Sequence, residues 1–167
     1  MRRCELRFAI ETTPDRFWSL YLDEDFNRES FVRGLSWDPP QQHAYRSDER
    51  EVVRELSAQP RLELPPKVAR LVGERLGYRE WGRFDRASAQ FEFRQRTTMF
   101  GDKLSIQGRM WGEPRGEAGM NLIAKLEVEA SMFGIGGLLE RTVEQNFNTT
   151  FSALVRHWNQ WLKDHDA

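Results

Sequence analysis

The stretch SMFGIGGLLERTVEQNF, residues 131–147, places Gly134, Gly136 and Gly137 between an alternating apolar run and a long helical pattern. A glycine-rich turn opening a helix is where phosphates bind, because free backbone N–H groups and the helix dipole favour an anion. A dinucleotide fingerprint needs glycine at its first, third and sixth places, after the first strand of a parallel unit. Here Gly134 and Gly136 fit the first two, Leu139 stands at the sixth, and no Lys-Ser/Thr pair follows as a phosphate loop requires. The strand before it ends an antiparallel series. The glycines therefore read as a hinge that relieves crowding where a strand turns into a helix.

Downstream of the hinge, Leu139, Val143, Phe147, Phe151, Leu154, Val155, Trp158 and Leu162 recur at steps of three and four. That spacing predicts one helix over 137–164, with a broad aromatic face too apolar to stand in solvent. Upstream, Leu122, Ala124, Leu126 and Val128 alternate with Lys125, Glu127 and Glu129, which is the period of a half-buried strand. The segments YREWGRF, AQFEFRQRTTM and KLSIQGRMWGE carry the same signal, and the linkers DRAS, FGD and PRGE have hairpin length. Before them EREVVRELSAQ reads as a strand, and LSWDPPQQHAYRSD as an extended piece broken by Pro39 and Pro40.

The chain opens with a strand whose Cys4, Leu6, Phe8 and Ile10 share a face, with Glu5 and Arg7 on the other. Thr13 then caps a helix that has Pro14 in its first turn, and a second short helix ends at Gly34. One further helix interrupts the strands. Val68, Leu71, Val72 and Leu76 mark a short amphipathic helix over 65–76, before Gly77. The order is β-α-α-β(about 6)-α in a single domain over 1–167. It implies an α+β fold in which a curved antiparallel sheet wraps around a long C-terminal helix.

The opening TTPDRFWSLYLD, the segment LPPKVARLVGERLGYREWGRF and the hinge FGIGGLLERTVEQNF resemble the START-like (SRPBCC, helix-grip) superfamily. The likeness covers essentially the whole chain, and its last two segments look most like an uncharacterised bacterial START-like domain-of-unknown-function family. That superfamily includes lipid-transfer proteins, plant allergen-type hydrophobic binders and polyketide cyclases. The resemblance implies an apolar pocket between the sheet and the last helix.

Composition narrows the partners. The formal net charge is −1, so no global field draws the chain to nucleic acid. The basic residues between Lys67 and Arg96 are interleaved with acids and read as a solvated surface, so no nucleic acid is expected. Cys4 is the only cysteine and no signal-peptide or membrane-spanning pattern stands out, which gives a cytoplasmic expectation. His43, His157 and His165 lack ligand spacing and read as surface residues, so no metal and no cofactor are expected. No G-x-S-x-G elbow is present.

What remains is apolar wealth, six Trp and eleven Phe, with a few polar groups on the same strand faces. Phe91, Phe93, Met99, Leu104, Ile106, Met110, Leu122, Leu126, Phe147 and Phe151 would converge between sheet and helix, either as a solid core or as a pocket lining. The resemblance favours the pocket. Its expected ligand-binding residues are Trp37, Tyr78, Glu80, Phe91, Phe93, Gln95, Thr97, Met110, Leu122, Leu126, Phe147 and Phe151. The expected function is non-enzymatic binding or transport of a hydrophobic, lipid-like small molecule. Two alternatives stay open: a cyclase- or dehydratase-type enzyme using Glu80 as a buried acid, and a protein-interaction module of the same fold. The helix at 65–76, with Lys67, Arg70 and Arg75, either caps a pocket mouth, touches a membrane surface during exchange, or simply packs.

Overall fold

A computed structural model of the chain describes residues 1–73 and 76–166. Seven strands form one antiparallel sheet: β1 (Arg2–Ile10), β2 (Gln41–Ser47), β3 (Glu51–Ala58), β4 (Tyr78–Asp85), β5 (Gln90–Thr97), β6 (Leu104–Arg115) and β7 (Gly119–Ala130). Their spatial order is β1-β7-β6-β5-β4-β3-β2, so β2 to β7 meander and β1 joins beside the last strand. The helices are α1 (Pro14–Tyr21), α2 (Glu24–Glu29), α3 (Pro66–Val72) and α4 (Gly136–His165), and one π-helical turn, Ser30–Gly34, continues α2.

The strand phases follow the alternation in the sequence. Inward residues of β7 are fully or nearly fully buried, and Ile10 opposite Met120 and Cys4 opposite Leu126 extend that floor into β1. The outer face carries cross-strand charge pairs, such as Arg3–Glu127 at 3.1 Å, Lys125–Glu5 at 3.6 Å and Arg79 with Glu55. Exposed pairs of this kind contribute about 0–1 kcal/mol each. They mark that face as solvated and leave stability to the inner one.

α4 lies across the inner face and packs against β1, β7 and the Ser30–Gly34 turn. An aromatic chain ties it in place. Phe93 stacks on Phe147 at 6.2 Å, Phe147 on Phe151 at 6.2 Å, and Phe151 on Phe8 at 5.9 Å, so β5, α4 and β1 share one run of rings. Farther along α4, Trp158 Nε1 donates to Ser30 Oγ at 2.9 Å, and Ser30 Oγ donates to the Phe26 carbonyl at 2.8 Å. That relay pins α2 to α4 without leaving a buried hydroxyl unpaired.

The hinge is a hinge. Gly134 has φ +76, a backbone region that side-chain-bearing residues rarely adopt. A Cβ on Gly136 would sit 2.7 Å from the Ala130 carbonyl oxygen, so glycine lets the helix start press against the end of β7. Glu140, one turn into α4, accepts from the Ala130 N–H at 3.1 Å and from the Met1 amine at 3.3 Å. The helix start is occupied by the sheet itself.

Three details differ from the sequence reading. α3 ends at Val72 instead of Leu76, because Gly73 at φ +64 turns the chain out of the helix. Met99 does not converge on the interior; it lies in the turn after β5, 45 % exposed. His157 is half-buried, its ring packed on Gly34, where an added Cβ would stand 3.1 Å away. Arg75 lies outside the described residues.

Candidate functional site: a cavity between sheet and helix

Between the inner face of the sheet and α4 lies a cavity of about 150 Å3. Its floor comes from β3, β4 and β5, through Arg54, Leu56, Tyr78, Glu80, Phe93 and Gln95. Its roof comes from α4, through Leu139, Val143, Phe147 and Phe151. Val68 and Val72 of α3 also line it, as do Phe31 and Trp37, which meet edge to face at 5.7 Å. The apolar face of the short inserted helix thus becomes part of the wall.

Of the residues expected from the sequence, Trp37, Tyr78, Glu80, Phe93, Gln95, Thr97, Phe147 and Phe151 line this cavity. Phe91, Met110, Leu122 and Leu126 do not. They point to the same inner face but belong to the main hydrophobic core, 0–1 % exposed. The reason is α1. Trp18 of that helix stacks on Phe91 at 6.3 Å, Tyr21 meets it edge to face at 5.3 Å, and Phe17 meets Trp158 at 5.4 Å, filling that part of the space under α4.

The floor is apolar except for one polar group of side chains. Gln95 Nε2 donates to Glu80 Oε2 at 2.7 Å across the β4–β5 ladder. Burial raises the Glu80 pKa above the ordinary carboxyl range, while Arg54 and the Gln95 hydrogen bond pull it down. Burial likewise holds the hydroxyls of Tyr78 and Tyr21 above the usual phenol range, with Glu80 adding to the shift and Arg54 opposing it. Thr97 Oγ1 is buried without a partner.

Arg54 is the member that sequence reasoning passed over. It sits on β3 between Val52 and Leu56, in phase with both, and is 3 % exposed. The phase was readable, but one arginine among apolar residues gave no reason to reverse an otherwise regular strand. The segment 59–65 adds Pro60, Leu62 and Leu64 to the wall; Leu62 and Leu64 alternate with Arg61 and Glu63, but the run between Pro60 and Pro65 is too short to read as a strand. Among the described residues, no group of three or more His, Cys, Asp or Glu could hold a metal ion. Among them, too, no helix is long and apolar enough to cross a membrane.

A family described as "Protein of unknown function (DUF2505)" matches residues 5–162. No curated protein matches the chain. Solved structures with the same fold include a START superfamily protein from Mycobacterium smegmatis, with TM-score 0.64 at 13 % identity over 95 % of this chain and 98 % of that one. They also include the Zhui aromatase/cyclase from Streptomyces sp. R1128, with TM-score 0.65 at 13 % identity over 94 % and 93 %. Norcoclaurine synthase from Thalictrum flavum is a third, with TM-score 0.63 at 11 % identity over 98 % and 87 %. At these identities the likeness is one of fold. The architecture is the START-like helix-grip fold that the three sequence segments resembled.

Proposed function

The chain belongs to the DUF2505 family of proteins of unknown function, and we propose that it is a non-enzymatic binder of a small hydrophobic molecule, held between the sheet and α4. The observation that carries this reading is the cavity. Side chains large enough to fill the interior instead line a hollow of about 150 Å3 with mostly aromatic and aliphatic walls, a polar group of side chains on its floor, and Thr142, Asn146 and Thr150 on the α4 side. Protein interiors are otherwise packed to crystal density, and such a hollow loses dispersion contacts unless something occupies it. Affinity would come from apolar area removed from water, roughly 25 cal/mol per Å2 less the cost of ordering.

Size narrows the ligand. Drug-sized sites run to roughly 300–1,000 Å3, whereas an engineered apolar cavity of roughly 150 Å3 takes up benzene. The hollow therefore suits a single-ring or short-chain molecule, and a full-length lipid enters only if α3 swings aside. Exchange at a membrane surface is the matching route. Leu71 of α3 is 44 % exposed and shares that helix with Lys67 and Arg70, and Phe133 is fully exposed in the hinge, whose Met132 and Ile135 join the same apolar cluster as Val68 and Val72 of α3. A cytoplasmic setting suits the unpaired Cys4.

A second reading is an enzyme that uses the same hollow. It is favoured by Glu80, a buried carboxyl whose proton is held by burial in the wall of an apolar cavity. It requires turnover that Glu80→Gln abolishes while ligand binding persists.

The test of the first reading is native mass spectrometry on freshly purified protein, with organic extraction of anything bound. The expected result is a retained apolar molecule, released by Val143→Phe, which fills the roof. Protein that is consistently empty, and that takes up neither fatty acids nor aromatic probes, would remove it.

A further inference from the structure

Four side-chain polar atoms among the described residues are buried with no hydrogen-bond partner, and two of them, Arg54 Nε and Thr97 Oγ1, belong to residues that line the cavity. Arg54 is the more consequential. A guanidinium keeps its proton at any physiological pH, so burial cannot neutralise it as it neutralises a carboxyl. Buried charges in proteins are ordinarily paired. This one has half a shell. Nη1 donates to the Tyr21 carbonyl at 2.9 Å, and the guanidinium carbon lies 4.7 Å from the Tyr21 ring centre and 5.1 Å from that of Phe91. The ring faces soften the cost of burial, but they supply no counter-charge.

The acid that should pair with it does not. Arg54 stands opposite Gly82, and Glu80 is its diagonal neighbour across the β3–β4 ladder. No carboxylate among the described residues comes within ion-pair distance of Arg54, and Glu80 Oε2 is engaged by Gln95 instead. Burial also favours the neutral form of Glu80, which weakens it further as a partner. Elsewhere in the molecule arginines find acids readily. Arg79 and Arg83, on the outer face of the adjacent strand, pair with Glu55 and Glu51 of Arg54's own strand. The other arginines without an ion pair among the described residues, such as Arg94 and Arg109, are exposed to solvent, so Arg54 is the one that is both buried and without an acid in contact.

We infer that the ligand brings it: an apolar acid of single-ring or short-chain size, whose carboxylate accepts from the Arg54 guanidinium and whose hydrocarbon body lies along Phe93, Val143 and Phe147. This rests on the binding reading above and names the chemistry of its ligand. A carboxylate on the guanidinium makes a charge-assisted hydrogen bond in a dry site, where such bonds are strongest. The aliphatic and aromatic part of the lining gives the rest of the molecule its contact area.

The test compares two acids with their neutral amides: 3-phenylpropanoate against 3-phenylpropanamide, and octanoate against octanamide. Each is titrated calorimetrically into the full chain at pH 7. The acids are expected to bind at least tenfold more tightly than the amides, and Arg54→Met is expected to erase that preference while the amides still bind. Equal affinities, or a preference for the amides, would overturn the anion assignment and leave the cavity reading standing. Binding by none of the four compounds to protein that native mass spectrometry finds empty would overturn both. Should Arg54→Met fail to fold, the unmodified protein still decides. The preference must fade as pH falls through the acids' own titration, roughly pH 4–5, and a preference that persists below it counts against the inference.

Discussion

Gln95 and Glu80 face each other across the β4–β5 ladder, joined by a 2.7 Å hydrogen bond inside the cavity wall. The carboxyl is buried, and its pKa is raised above the ordinary 4.5 chiefly for that reason. A carboxyl of raised pKa costs nothing while neutral in both folded and unfolded chains. It destabilises the fold as pH climbs from the unfolded value through the folded one. Glu80→Gln keeps the shape and removes the charge. The Tm of the native protein, relative to this variant, should therefore fall as pH rises from about 4 and level off beyond the folded pKa. Parallel Tm curves from pH 4 to 8 would show that Glu80 is not the buried acid described here.

Gly82 lies beneath the Phe91 ring, and a Cβ there would stand 2.3 Å from Phe91 Cζ. Phe91 is fully buried and held by Trp18 and Tyr21, so its ring has nowhere to retreat. Gly82→Ala should cost about 1–3 kcal/mol through overpacking. Denaturant titration reads this directly, and a shift of the midpoint at unchanged slope is the expected form.

The Trp158–Ser30 hydrogen bond links the far end of α4 to the turn after α2. Trp158→Phe with Ser30→Ala forms a double-mutant cycle. The coupling should be about 0.5–1.5 kcal/mol, the net value of one buried hydrogen bond. Additive effects in urea melts would mean that the two residues matter only for packing.

Phe133 is fully exposed and Leu71 is 44 % exposed, so neither supports the core. Phe133→Ser together with Leu71→Ser should change stability by no more than about 0.5 kcal/mol. Co-sedimentation with anionic phosphatidylglycerol vesicles should drop several-fold if this end of the molecule touches membranes during exchange. Undiminished vesicle binding would move that contact elsewhere on the surface.

Face was legible in the sequence; position along the face was not. Alternation placed Glu80, Gln95 and Thr97 on the inner side of β4 and β5, because period two admits only two phases. Leu122 and Leu126 share the inner phase of β7 with the same clarity, yet they lie in solid core. What separates them from the cavity is where α1 docks, and that depends on long-range contacts such as Phe17 on Trp158. Periodicity carries no information about such contacts. Thr13, by contrast, announced its helix locally, and its side-chain oxygen accepts a backbone N–H of the first turn; Asp23 caps α2 in the same way, a signal the sequence reading passed over. Arg54 was visible as an inward residue but not as a site. Its meaning lies in the absence of an acid beside it, and that requires three strands in place.

The placement of β1 has a consequence for how the chain is made. Arg2 sits opposite Val128 and Ile10 opposite Met120, so β1 leaves the ribosome with no β7 partner until more than a hundred further residues have been synthesised. Loop closure over such a span is slow, and an unpaired apolar strand is prone to associate with other nascent chains in the meantime. Arg3, Glu5 and Arg7, alternating with the apolar residues of that strand, keep one of its faces charged throughout the wait.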